Sequence, residues 1–294
     1  MDFVPDLRFG GTLGMESRLL VPDWCFQRPS GMKSRLFVPV LDLAHSGVSF
    51  RPGRTLFCRP GRMGNGNSYI CNMNMKKYKV LVTGTSQGIG LAIAELFLEN
   101  GHSVIGIDRQ PDTIQHPGYT HFQCDIRDTD SLPQIDDVEI LINNAGTQNE
   151  SDIDVNLKGL ISITERYGVQ PHIRSILNIG SASAHTGSEF PEYCASKGGV
   201  VAYTKNVALR VAQYGATANS LDPGGVITPL NAPVMEDPVL WAEIMEQTPL
   251  RRWATTQEIA QWAYFLTVTN TFCTGQSIVV DGGESINSHF VWPD

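Results

Sequence analysis

From Lys79 onward the apolar positions alternate between two kinds of pattern. Lys79-Val-Leu-Val-Thr83 is a short apolar run, followed after a glycine-rich turn by Ile89, Ile93, Leu96 and Phe97 at helical spacing. A run of that length bounded by turn residues reads as a strand, and the spacing after it as an amphipathic helix. Gly101 is placed to stop this helix before a second strand at residues 103–108. Further apolar runs at residues 120–124, 140–143, 175–179, 217–221 and 277–280 bring the expected strands to seven. Ser151-Asp-Ile-Asp154 is read as opening a helix towards Tyr167, and Thr255-Thr-Gln-Glu258 as opening one through Ile259, Trp262 and Phe265. A long helix from about Glu192 is expected to end at Gly215. Strands alternating with helices predict an α/β fold, a single doubly wound parallel sheet of about seven strands with helices on both faces.

Residues 1–74 lack this alternation. They are rich in Gly, Pro and Arg and hold a near-repeat, Met15-Glu-Ser-Arg-Leu-Leu-Val-Pro22 and Met32-Lys-Ser-Arg-Leu-Phe-Val-Pro39, with no periodicity between. They carry nine Lys and Arg against five Asp and Glu, so of the whole-chain charge of -8 they contribute +4 and the remainder -12. The segment is read as an N-terminal extension of unassigned structure, poorly ordered or added by a non-native upstream start, with Met75 as the natural first residue and 75–294 as the folded domain. An Arg-rich targeting leader is the alternative, opposed by Asp2, Asp6, Glu16 and Asp23.

The acidic balance argues against nucleic acid or an anionic membrane as partner and for a small molecule. No stretch approaches the roughly 18 apolar residues of a membrane span, and no secretory signal pattern opens the chain. The six cysteines form no C-x-x-C and no zinc-like set with histidine, so a reduced, cytoplasmic protein without a metal is expected.

The chemistry concentrates at three places. Thr83-Gly84-Thr85-Ser86-Gln87-Gly88-Ile89-Gly90 lies between the first strand and its helix, where glycines let backbone N–H groups close on a pyrophosphate at the helix N-terminus. Asp108 ends the second strand 24 residues after Gly84. That is close to the ~20-residue offset at which a carboxylate accepts hydrogen bonds from an adenosine ribose and repels a 2'-phosphate. A solvated turn carboxylate is the other reading, and Arg109 beside it is able to meet a 2'-phosphate. Tyr193-Cys-Ala-Ser-Lys197 sets a phenol and an ammonium at i and i+4 on one helical face, where positive charge lowers a phenol pKa of about 10 and makes Tyr193 an acid/base candidate. The alternative is a packed Tyr beside a snorkelling Lys. Ser181, just after the fifth strand, offers a hydroxyl to a reacting oxygen, with Ser183 as a lesser candidate.

Together these motifs resemble the short-chain dehydrogenase/reductase family over residues 76–284: Thr83 to Gly90 is similar to its T-G-x-x-x-G-x-G, Asn143-Asn144-Ala145-Gly146 to its N-N-A-G, Tyr193 and Lys197 to its Y-x-x-x-K, and Pro223-Gly224-Gly225-Val226-Ile227-Thr228 to its P-G-x-x-x-T. The resemblance implies a Rossmann-type fold and hydride transfer between a secondary alcohol or ketone and NAD. It assigns proton transfer to Tyr193, ribose contact and phenol activation to Lys197, substrate orientation to Ser181 and a relay water to Asn156. For the cofactor it implies Gly84, Ser86, Gln87, Gly88, Ile89 and Gly90 at the phosphates and Asp108 and Arg109 at the ribose. Asp125 and Ile126 would lie at the adenine, Asn143, Asn144, Ala145 and Gly146 along the groove, and Pro223, Gly224, Val226 and Thr228 at the nicotinamide. Gln87 stands where many NADP-using relatives have Arg or Lys, which favours NAD. Relatives are commonly tetramers or dimers, so a homo-oligomer, expected as a homotetramer, follows.

Two intervals are short for the family, 17 residues between Asp125 and Asn143 and nine between Gly146 and Asn156. The 181–193 interval is one residue short, which predicts an open pocket. Substrate contacts are expected from residues 182–192, from 229–250 as an apolar lid or a packing surface, and from the tail 285–294. His185 reads as a pocket or surface residue. The alternatives are an NADP-dependent 3-oxoacyl-type reductase and, in a different class, a non-catalytic dinucleotide sensor or scaffold, which the presence of both Tyr193 and Lys197 disfavours.

Overall fold

A computed structural model of the chain describes residues 76–287 except Glu189, together with two short strands, β1 (Cys58–Arg59) and β2 (Ile70–Cys71). The chain divides into two units, Met1–Met73 and Asn74–Asp294. In the first, β1 and β2 pair antiparallel, with Cys58 opposite Cys71. The other expectations for residues 1–74, and those for the tail from Ser288, lie outside the described residues.

The second unit is a parallel sheet of β3 (Lys79–Thr83), β4 (Ser103–Asp108), β5 (Tyr119–Gln123), β6 (Ile140–Asn143), β7 (Ser175–Ile179), β8 (Thr217–Pro223) and β9 (Ser277–Val280). Their order is β5-β4-β3-β6-β7-β8-β9, a Rossmann-type doubly wound sheet. Val80 and Val82 of β3 face one layer with Phe97 of α1 (Gly88–Glu99) and Ile259 of α7 (Thr256–Tyr264). Leu81 between them faces the opposite layer with Ile163 and with Val207 of α4 (Pro191–Val211). A strand covered on both faces must be apolar at successive positions, which is why β3 reads as a continuous run. The winding reverses between β3 and β6, so a crevice opens at their C-terminal ends.

Several elements differ from expectation. The β8 strand runs to Pro223 because Asp222 and Pro223 stay opposite Val279 and Val280 of β9. Residues 124–139, between β5 and β6, form no helix; Ile126, Leu132, Ile135 and Val138 of this strap fill the second core cluster. Its carbonyls accept from the neighbouring helix and the turn after it, since Arg166 donates to Thr129 O and Leu132 O, Tyr167 Oη to Pro133 O at 2.7 Å, and Gln170 Nε2 to Val138 O at 2.7 Å. Those bonds replace the ones a helix would make internally.

That neighbouring helix spans Ile153–Gly168, with wide π-type turns flanking α2 (Leu160–Ile163). Ser151 does not cap it; Asp152 instead turns back to accept from Asn149 N and Thr147 Oγ1, each at 2.9 Å. The cap expected at Thr255 is present, with reciprocal bonds between Thr255 and Glu258. After Thr186, the end of α3 (Ser183–Thr186), the chain enters α4, whose helical path closes through a tight turn at Gly215, φ 71°. Residues 229–250 contain two helices that periodicity did not announce, α5 (Ala232–Met235) and α6 (Pro238–Gln247), the latter capped by Asp237.

Candidate active site

The crevice between β3 and β6 is a cavity of about 540 Å³. At one end Gly84 adopts φ 77°, a left-handed conformation that a side chain would strain. A Cβ there would also lie 2.8 Å from Asn144 Nδ2. A Cβ on Gly90 would lie 1.9 Å from Gly84 O, so α1 begins directly under the turn. Thr83 Oγ1 accepts from Asn144 N and Ala145 N at 3.0 Å, and Asn144 Nδ2 donates to Thr83 O and Gly84 O at 3.0 Å. The two motifs are thereby locked together. Gln87 at the start of α1 makes no capping bond, which leaves the helix N-terminus, with Gly88 and Ile89 in the cavity wall, as an anion cradle.

Asp108 lies beside the glycine turn in this groove, with Arg109, Asp125 and Ile126 in the same wall. Its Oδ2 accepts from Ser86 N and its Oδ1 from Gln110 N, both at 2.9 Å, so the carboxylate also holds the glycine turn. Asp125 is paired with Arg127 at 2.7 Å, and that bond holds its carboxyl below the usual range. Asn144, Ala145, Gly146, Pro223, Gly224, Val226 and Thr228 line the rest of the groove. Three residues assigned to the cofactor do not line it. Ser86 turns its hydroxyl to Pro111 O at 2.9 Å, Gly90 is buried packing, and Asn143 is a core residue that donates to Thr164 Oγ1 and Asn178 Oδ1. The groove fits an extended dinucleotide: a side-chain-free turn, a helix N-terminus and a carboxylate at successive points along one cavity.

At the other end Ser181, Tyr193 and Lys197 come together. Ser181 and Tyr193 line the cavity together, and Lys197 Nζ lies 5.7 Å from the Tyr193 ring centre. Lys197 Nζ donates to Ile179 O at 2.8 Å. Burial lowers its pKa to about 8 against the opposing pull of Asp222 and Asp152. Burial also raises the Tyr193 phenol, opposed by Ser181 and reinforced by the Asp152 charge. In the cofactor-free protein desolvation therefore sets the direction of the phenol's shift.

Asn156 is wholly buried and stands outside the cavity wall; its side chain accepts from Thr147 N at 2.7 Å and donates to Thr147 O and Ser196 Oγ. It thus ties the loop after β6 to α4. His185 is an exposed residue, as expected, and its Nε2 lies 2.6 Å from Oδ2 of the fully buried Asp222.

Phe190, from the loop expected to touch substrate, is in the wall, which also holds residues that sequence reasoning missed, namely Thr147, Gln148, Trp253 and Glu284. None belongs to a spaced motif. Of residues 229–250, Leu230, Val234 and Ile244 line the cavity, whereas Val239 and Leu240 are exposed. Among the described residues no cluster of three His, Cys, Asp or Glu side chains is arranged to hold a metal, and no helix is long and apolar enough to cross a membrane.

A family model described as enoyl-(acyl carrier protein) reductase matches residues 84–285. An L-fucose dehydrogenase of Bos taurus is 32% identical over 244 residues, covering 70% of this chain and 89% of the relative. The chain belongs to the short-chain dehydrogenase/reductase family. Within that family it is also 32% identical over 239 residues to a 3-oxoacyl-[acyl-carrier-protein] reductase of Chlamydia pneumoniae, covering 70% of this chain and 96% of the other. The ligand-free aldohexose dehydrogenase of Thermoplasma acidophilum superposes with a TM-score of 0.64 at 30% identity, over 74% of this chain and 98% of that one. The protein is accordingly an oxidoreductase of a family that binds a nicotinamide dinucleotide and acts on small molecules.

Proposed function

We propose that the protein interconverts a secondary alcohol and a ketone with NAD(H), Tyr193 acting as general acid/base. The observation that carries this reading is the placement of Tyr193, Ser181 and buried Lys197 in one cavity with the glycine turn and Asp108, Lys197 Nζ lying 5.7 Å from the Tyr193 ring centre. Ser181 holds the substrate oxygen against the phenol, and Tyr193 takes the hydroxyl proton in oxidation or returns it in reduction. The Lys197 ammonium, below its pKa of about 8, favours the phenolate and meets ribose hydroxyls. A bound nicotinamide supplies the hydride acceptor or donor. Asn156, through Thr147 and Ser196, keeps the floor of the site in register.

The position of Asp108 supports NAD, since a carboxylate there accepts from ribose hydroxyls and repels a 2'-phosphate. Arg109 and a 27% identical neighbour solved with NADP support the alternative, an NADP-dependent 3-oxoacyl-type reductase. Titrating the protein fluorimetrically with NADH and NADPH separates them. NADH is expected to bind at least about tenfold tighter, ~1.4 kcal/mol. A preference for NADPH would overturn the assignment to Asp108. Tyr193→Phe is expected to keep NADH affinity and lose about 10²–10⁴-fold in turnover; full activity would exclude Tyr193 as acid/base.

The same reading makes residues 75–294 the working domain of a cytoplasmic homotetramer or dimer. Exposed Trp262, Phe265 and Phe272 support a subunit contact.

A further inference from the structure

Tyr119, the first residue of β5 at the edge of the sheet, reaches past β4 to the glycine turn that follows β3. Its hydroxyl lies 2.7 Å from Thr85 Oγ1, and Thr85 is fully buried and takes no part in the cavity wall. Gly106 of β4 is what makes the reach possible, because a Cβ there would fall on both Tyr119 Oη and Thr85 Oγ1. The phenol therefore supports the turn from inside the fold and not from the cavity.

That bond is one link in a closed ring. His121 Nδ1 lies 3.1 Å from Tyr119 Oη, and His121 Nε2 lies 3.0 Å from Gln110 O. A carbonyl only accepts, so Nε2 donates to Gln110; the neutral imidazole then accepts from the Tyr119 hydroxyl at Nδ1, and the phenol oxygen accepts from Thr85. Burial raises the Tyr119 phenol above its ordinary value, which keeps it a hydroxyl able to donate. From Gln110 the ring continues through its N–H to Asp108 Oδ1, and from Asp108 Oδ2 to the N–H of Ser86, the residue after Thr85. The first residues of the turn are thus held by a carboxylate at Ser86 and by a phenol at Thr85, and of the two only the carboxylate has a motif in the sequence.

We propose that Tyr119 is a positioning residue for the dinucleotide: it holds Thr85, and through it the backbone of the glycine turn, in the shape that receives the cofactor's phosphates. The inference rests on the proposed reading only in taking that turn as the phosphate site. Without the phenol hydroxyl, Thr85 Oγ1 stays buried and loses its partner, which is a costly state. The free protein relieves it by letting the turn relax, so that only a fraction of molecules present the receptive shape. Affinity for the cofactor falls by that fraction, while Ser181, Tyr193 and Lys197 at the other end of the cavity are untouched.

The test is fluorimetric titration of the full chain with NADH and with NADPH, alongside thermal melts of the cofactor-free protein. Tyr119→Phe is expected to weaken both nucleotides about tenfold. Thr85→Val breaks the same bond from the other side and is expected to give the same loss. The double variant is expected to bind no more weakly than either single one, because the two hydroxyls act as a unit. A support that merely stabilises the fold would lower Tm and leave both affinities alone. That result, or losses that add in the double variant, overturns the proposal. If the wild type prefers NADPH and Tyr119→Phe weakens both nucleotides, the role of Tyr119 stands and the NAD assignment falls. A wild type that binds neither nucleotide overturns the cofactor reading and this proposal with it.

Discussion

Lys197 and Tyr193 stand one helical turn apart, and their spacing alone points to a cation beside a phenol. Burial changes how the pair titrates. The Lys197 pKa falls to about 8 while that of Tyr193 rises, so in the cofactor-free protein the amine loses its proton before the phenol does. Amine-selective acylation followed by mass spectrometry is expected to show Lys197 reactivity climbing through about pH 8, well before exposed lysines near about 10.4; a midpoint at 10 or above would contradict the burial argument. The stability linkage has a definite sign. Because the folded pKa is depressed below the unfolded value, the cost of burying the charge is fully present below about pH 8 and disappears as pH rises towards 10.5. The motif was legible in the sequence, but its ionisation was not, because desolvation is set by residues distant in the chain.

Among the elements, those with local signals were the most legible. The Thr255–Glu258 capping box begins α7, which packs against α1 under the cofactor groove. Thr255→Ala is expected to cost about 1 kcal/mol. In a domain of this size that is a fall in Tm of roughly 2–4 °C, measurable by calorimetry. An unchanged Tm would mean that packing on α1 and not the cap holds the helix end. The strap at residues 124–139 taught the opposite lesson. Its shortness was visible, but nothing in its composition says that Arg166, Tyr167 and Gln170 would satisfy its carbonyls in place of a helix. Helices α5 and α6 were unannounced for a related reason: no residue of α6 is buried, so its apolar side chains do not form the inward stripe that periodicity detects.

At the scale of the whole molecule, His102 joins the start of β3 to α1 and α7. Tyr78 N donates to its Nδ1 at 3.1 Å, Nε2 lies 3.2 Å from Tyr264 Oη, and the ring packs against Tyr78 and Phe97. A proton on Nδ1 would break the first of these bonds. Burial lowers the pKa from 6.5 to about 4, so the stability drawn from neutral His102 is present above 6.5 and is lost as pH falls from there to about 4. Urea unfolding at pH 7 and pH 4.5 is expected to show a smaller loss of stability for His102→Gln than for the wild type; equal losses would remove His102 from the acid response. By itself the sequence determined the α/β class, the seven strands, the glycine turn, Asp108 and the Tyr193–Lys197 pair, because these follow from periods and spacings within a few residues or one βαβ unit. Only the tertiary structure decided that Asn143 is core, that His185 meets Asp222, and that Trp253 packs over Gly225. Those neighbours are brought together by the packing of separate elements, and no local spacing encodes which side chains will share a buried space.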